Sequence, residues 1–476
     1  MCITAPQLWA AKKGKAEVYV TTASRSMVFK PLSLQFDKKI STTPNTITLD
    51  PSTKYQEMEG FGAAITGSTC YNLLKMSKEN RDKLLRETFD TKTGMGYSYI
   101  RISIGCSDFS LDEYTYCDKE GIENFALHEI DKRDLLPILK EIKAINPNIK
   151  ILSSPWTCPI WMKVNNLQDL KPFPSWISGQ LNPKYYQDYA TYFVKFVQAM
   201  QAEGFHIDAT TIQNEPLNRG NSASLFMTWQ EQRDFIKYAL GPQFRKAGIN
   251  TKIIVYDHNY NYDYPDKEEC KDQVDYPLNI YKDAAAAQYI DGSAYHAYGG
   301  EVSEMRDIHS ARPDKNLYFT EMSIGNWGTG YNFGGDLMWN MREVCLSSIN
   351  NWCKAVMMWN FMLDDNHQPF RPNGCNMCLG AIDISSKDYT TMTKNSHYYT
   401  MAHLSKVIAP GAYRIASTDV RIDGLYYAAF INPDGSYAAV LQNETDKPIL
   451  VSLSDGVKSF KYLSPAKSVN SFRWNR

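Results

Sequence analysis

Three regimes of hydrophobic and polar spacing follow one another along the chain. Between Ala16 and Asp50, short runs such as Glu17-Val18-Tyr19-Val20-Thr21 and Thr46-Ile47-Thr48-Leu49 alternate apolar with polar residues, the period-two pattern of half-buried strands. After Asp50-Pro51, strand-length apolar runs alternate with longer amphipathic segments, as βα units around a parallel sheet do. The predicted strands cover 58–65, 97–104, 150–154, 207–213, 252–256, 292–296, 316–320 and 355–361. Between them, 134–145 is the clearest helix, because Leu135, Ile138, Leu139, Ile142 and Ile145 share one face. The stretches 185–201 and 230–246 repeat that pattern. Beyond about Gly411, alternating runs at 426–431, 437–442 and 449–453 return, split by the turn signals Asn432-Pro433-Asp434-Gly435 and Ser454-Asp455-Gly456.

Eight βα units predict a closed (β/α)8 barrel with its active site at the C-terminal ends of the strands. The fold class is therefore α/β, with a side-packed β-sandwich built from both chain ends. The expected divisions are 1–50 for the N-terminal strands of the sandwich, 51–405 for the barrel and 406–476 for the C-terminal part of the sandwich. An open doubly wound sheet would bring a Gly-rich phosphate turn after an early strand, and Gly60-Phe61-Gly62 lacks the third glycine of such a turn. It reads instead as a close backbone approach at the barrel floor or mouth.

Composition narrows the partners. The 476 residues carry 51 basic and 52 acidic side chains with no block of like charge, which argues against nucleic acid or a charged membrane surface. No apolar run approaches the roughly 20 residues of a transmembrane helix, and no basic region followed by an apolar core opens the chain. Aromatic residues make up 13% and many stand beside Asn, Gly and Asp, where rings can stack on sugars. The ten cysteines follow no framework spacing. Cys375-Asn376-Met377-Cys378 is a lone pair open to a local disulfide, free thiols or zinc. Cys2 is either a lipidated residue left behind a replaced export signal or an ordinary surface cysteine.

The candidate chemistry lies at two strand ends. Thr211-Ile212-Gln213-Asn214-Glu215-Pro216 delivers a carboxylate just before a proline, which should end the strand and hold Glu215 extended. Leu317-Tyr318-Phe319-Thr320-Glu321 delivers a second, so Glu215 is expected at the end of strand four and Glu321 at the end of strand seven. Paired carboxylates, aromatic stacking and polar loops suit cleavage of a glycosidic bond. Paired glutamates at strand ends also serve as partners for arginine or as ion ligands.

Ordered motifs carry a family resemblance: Gly60-Phe61-Gly62-Ala63-Ala64, Arg101-Ile102-Ser103, Cys106-Ser107-Asp108-Phe109-Ser110, Ser154-Pro155-Trp156-Thr157, Gln213-Asn214-Glu215-Pro216, Thr320-Glu321 and Trp359-Asn360. His403-Leu404-Ser405-Lys406 and Leu463-Ser464-Pro465 extend it toward the C-terminus. The chain resembles glycoside hydrolase family 30, the glucosylceramidase and β-1,6-glucanase group. That resemblance implies a retaining double displacement with Glu321 as nucleophile and Glu215 as general acid/base. It also implies Asn214 on the sugar 2-hydroxyl, Asp108, Trp156 and Trp359 lining the terminal glucose site, and Arg101, His296 and Tyr298 around Glu321. No metal or organic cofactor is required. The mechanism asks for a protonated Glu215, its pKa raised by burial or by the charge of Glu321, and an ionised Glu321.

The loops at 260–264 and 364–369 are polar and ring-bearing rather than continuously apolar, which favours a β-1,6-linked glucan over glucosylceramide as substrate. A non-catalytic carbohydrate-binding barrel is the alternative of a different class. A polysaccharide substrate points to a secreted, periplasmic or cell-surface protein. Oligomeric state and endo or exo action are not legible.

Overall fold

A computed structural model describes residues 14–260 and 271–475. Eight parallel strands form the barrel, each beside its sequence neighbour: Gly60–Ala63, Tyr99–Ile104, Lys150–Pro155, Ala209–Thr211, Lys252–Asn259, Ile290–His296, Asn316–Glu321 and Cys353–Met358. A bridge from Ala64 to Arg101 closes the ring between the first and second strands. Closure needs Gly62, because a Cβ there would lie 2.0 Å from the Tyr99 carbonyl oxygen. The interior is a packed core in which Tyr99, Leu152, Ala209, Ile254, Ala294, Tyr318, Ala355 and Met357 meet.

The helix Leu135–Ile145 buries Leu135, Leu136, Ile138, Leu139 and Ile142 against the barrel, following its apolar stripe. Tyr186–Ala202 packs the same way. The segment expected as one helix over 230–246 is helical from Trp229 to Ala247, with a wider π turn at Ile236–Leu240. Among the described residues, no helix is long and apolar enough to cross a membrane.

Both chain ends build the second core. Lys15–Thr22 pairs with Lys30–Gln35 on one side and with Ser468–Trp474 on the other. The strand Thr46–Glu57 runs antiparallel to Tyr413–Ser417 and, at its start, parallel to Ile449–Ser454. Val18, Val20, Ile47, Leu441, Leu453, Phe472 and Trp474 fill the space between. His403, on the helix Ser396–Ser405, ties this unit to the barrel: its two ring nitrogens bond Thr21 and Ser471, each at 2.8 Å.

An ionic knot closes the barrel floor. Glu59, whose side chain is almost fully buried, faces Lys252 at 2.5 Å, Lys354 at 3.3 Å and Lys150 at 3.8 Å, and accepts a hydrogen bond from the Tyr318 hydroxyl. Burial raises its carboxyl, but the lysine charges outweigh this and hold it below the usual range. The stabilisation is therefore complete above the unfolded-state pKa of about 4.3 and disappears as pH falls through the lower folded value. Glu59→Ala leaves three lysines facing one another and is expected to cost about 3 kcal/mol at pH 7. Thermal melts should show that gap narrowing as pH is taken below 4; an equal gap at both pH values would refute this role.

Candidate active site

The C-terminal mouth of the barrel is organised around Arg101, which is fully buried on the second strand. Its guanidinium donates to Glu321 Oε2 at 2.5 Å, to Asn214 Oδ1 at 2.7 Å and to Asp257 Oδ2 at 2.8 Å, and lies over the rings of Trp156 and Trp359. Asp257 is a hub in its own right. It also accepts from Thr211 at 2.8 Å, Ser154 at 3.1 Å, Thr320 at 2.6 Å and His296 at 3.1 Å. Burial opposes its ionisation, yet the Arg101 charge and the His296 hydrogen bond hold it well below the usual carboxylate range.

Glu321 is the last residue of the seventh strand, as expected, and the Tyr298 hydroxyl donates to its second oxygen at 3.1 Å. Glu215 departs from expectation. The fourth strand ends at Thr211, and Glu215 lies four residues on with φ +45°, in the left-handed region rather than extended. Its amide bonds the Asp257 carbonyl at 2.9 Å, and this tertiary bond overrides the preference set by Pro216. The turn aims its carboxylate across the mouth, where oxygens of Glu215 and Glu321 and a nitrogen of His296 lie within 4.8 Å of one another. That spacing would admit a metal ion, but Arg101 and His296 already supply positive charge to these carboxylates, and no metal site is assigned.

The pKa shifts of the two glutamates run opposite to those expected. Burial raises the Glu215 carboxyl, but the His296 hydrogen bond, the charges of His258 and His296 and the Asn218 amide together bring it down to about 2. Burial raises Glu321, against the charges of His296 and Arg101 and with that of Glu215. Burial opposes a charged His296, but the Glu321 charge and the bonds to Asp257 and Glu215 lift it to about 9. Asp108 is raised well above the usual range by burial and by the charges of Glu321 and Glu215.

A cleft of about 430 Å³ opens on this cluster, and Asp108, Glu215, Tyr298, Glu321 and Trp359 line it. Three residues expected there do not line it, among them Asn214, which is buried with its amide oxygen on Arg101. Trp156 is buried and stacks behind Trp359, with centroids 5.3 Å apart. His296 is fully buried and spends both ring nitrogens on protein carboxylates rather than facing Glu321 alone or a sugar. The loop Asp364–Pro369 also stays outside the cleft, since the Asp364 carboxylate caps the amides of Asn366 and Gln368. The rim is formed instead by the stretch 373–378, where Cys375 and Cys378 form a disulfide, and by the partly exposed Trp327. The ring-bearing loop expected at 260–264 lies outside the described residues beyond Tyr260.

Sequence reading missed Asp257, Asn218, Asn221 and Trp327. Trp327 stands in Gly325-Asn326-Trp327-Gly328, the same ring-among-polar-residues signal that singled out other loops. Asn218 and Asn221, whose amides reach Glu215 Oε2 at 2.7 and 3.3 Å, follow a proline in a stretch with no periodicity.

A barrel that gathers two carboxylates this closely beside stacked indoles belongs to the class of barrel glycoside hydrolases. More narrowly, the chain belongs to glycosyl hydrolase family 30: residues 58–408 match that family's TIM-barrel domain and residues 411–472 its beta sandwich domain. It is thus a hydrolase of glycosidic bonds. A solved endo-beta1,6-glucanase is 56% identical, with a TM-score of 0.93 over 97% of this chain and 100% of that one. An endo-1,6-beta-D-glucanase of Trichoderma harzianum is 30% identical across 92% of this chain and 89% of its own length. The lysosomal acid glucosylceramidase of Mus musculus is 28% identical across 90% and 83%.

Proposed function

We propose that the enzyme cleaves β-1,6-linked glucan internally, with retention of configuration. The observation that supports the mechanism is that an oxygen of each carboxylate lies within 4.8 Å of the other. Retaining enzymes hold them about 5–5.5 Å apart, whereas inversion needs roughly 6.5–9.5 Å to admit a water between them. Glu321 attacks the anomeric carbon, its trajectory set by Arg101 and Tyr298. Glu215 protonates the leaving oxygen and later takes a proton from the incoming water. Asn214 gives its amide oxygen to Arg101, which turns its N–H group toward the sugar 2-hydroxyl. Asp108 and Trp359 bound the terminal glucose site, with Trp156 stacked behind.

The 56% identity to an endo-beta1,6-glucanase supports the substrate. The exposed rings of Trp327 and Tyr298 on the rim support a chain that continues past the glucose site, since sugars stack on such faces. A polysaccharide substrate places the enzyme outside the cytoplasm or at the cell surface. Incubation with linear β-1,6-glucan should release short oligosaccharides early, with glucose appearing later. Hydrolysis of glucosylceramide without any release from the glucan would overturn the substrate assignment, and glucose as the sole early product would overturn internal cleavage.

A further inference from the structure

At the mouth of the barrel, Glu215 faces a second ionisable side chain, His296. Asp257 is locked as an anion by donors from four elements: Arg101 on the second strand, Ser154 on the third, Thr211 on the fourth and Thr320 on the seventh. It can only accept from His296 Nε2, which therefore carries a hydrogen. The opposite nitrogen, Nδ1, faces Glu215 Oε1 at 3.2 Å, while the other oxygen of Glu215 accepts from Asn218 and Asn221. With Nε2 committed to Asp257, a hydrogen bond between Nδ1 and Glu215 Oε1 needs one proton shared between the two side chains.

We propose that His296 is a proton relay: it stores the acid-step proton on Nδ1 and passes it to Glu215 Oε1 when the glycoside is bound. This rests on Glu215 being the acid/base. His296 does not touch the sugar, so it is a positioning residue acting through Glu215. In the first half-reaction the Nδ1–H bond breaks, the proton moves through Glu215 onto the leaving oxygen, the anomeric C–O bond breaks and a bond from Glu321 forms. In the second, water bonds to the anomeric carbon, the Glu321 ester breaks, and the water proton returns through Glu215 to Nδ1.

The other ionisable groups facing the ring are consistent with storage there. Glu321, 4.0 Å from Nδ1, adds negative charge, and Tyr298 stands edge-on to the ring. Asp108 and Arg101 complete the surroundings of the two glutamates. His258 is brought down to about 4, chiefly by burial, so it is neutral at working pH and does not compete for the proton. Glu215 at about 2 and His296 at about 9 put the proton on the imidazole throughout the range between them. The alkaline limit of acid catalysis is then set by the histidine: activity persists below about 9 and falls as pH rises through it.

The test pairs spectroscopy with kinetics. With histidine labelled by ¹⁵N, the His296 ring, assigned by its loss in His296→Gln, should remain doubly protonated up to about pH 9 in the wild type and titrate at lower pH in Glu215→Gln. This measurement needs no substrate, so it stands even where the glucan assignment fails. In kinetics, His296→Gln should lose on the order of 100-fold on β-1,6-glucan, whose leaving group needs a proton, and under about tenfold on 2,4-dinitrophenyl β-glucoside, whose leaving group does not. Its alkaline limb should move to lower pH. A singly protonated ring at pH 7 in the wild type, or an equal loss on both substrates with the limb unmoved, would overturn the relay.

Discussion

Glu321→Gln is expected to lower hydrolysis of β-1,6-glucan by roughly 10⁴-fold or more while the chain stays folded. The amide is close to isosteric and its oxygen can still accept from Arg101 or Tyr298, so the partners that hold the side chain are not stripped away. On the proposed mechanism, what disappears is the carboxylate that forms the covalent intermediate, and with it one of the negative charges that raise His296. Reducing ends released from the glucan measure the first effect, and circular dichroism checks the fold. A variant that keeps a tenth or more of wild-type turnover would mean that another group is the nucleophile.

The second large effect is structural. Asp257→Asn is expected to destabilise the protein by about 3–5 kcal/mol, because a buried ion pair broken on one side leaves an uncompensated charge. All five partners of this carboxylate approach as donors, so an amide must turn its own N–H group on the two that share Oδ1 or the three that share Oδ2. Arg101 keeps Glu321 as counter-charge, which softens the loss without cancelling it. The thermal midpoint reports the change, and turnover should fall with it, since Arg101 and His296 both take their positions from Asp257. An unchanged midpoint would mean that water or a shifted side chain replaces the lost charge.

The barrel was legible because its strands are buried on both faces and read as apolar runs separated by amphipathic helices. Glu321 was legible for the same reason, standing where such a run stops. Glu215 was found as a residue but not as a conformation: its left-handed turn depends on a hydrogen bond to the Asp257 carbonyl, more than 40 positions away. Asp257 escaped because the apolar run of the fifth strand stops at Tyr256, where polar residues begin, whereas the strand continues to Asn259 with Asp257 fully buried. The opposite pKa shifts of the two glutamates depend on which carboxylate the His296 ring touches, and spacing along the chain carries no trace of that contact.

The joining of the two chain ends in one sandwich has a consequence for biosynthesis. Ser468–Trp474, the long-range partner of Lys15–Thr22, is made about 450 residues and ~20–90 s after it at ~5–20 residues per second. By the last part of that interval the barrel sequence has been made, while Lys15–Thr22 still lacks that neighbour and His403 lacks its Ser471 clasp. An exposed strand edge can pair with other chains. Synthesis of Ser468–Trp474 is therefore the step at which this strand edge can be covered, and a chain released before it would carry the edge of Lys15–Thr22 unpaired beside the barrel.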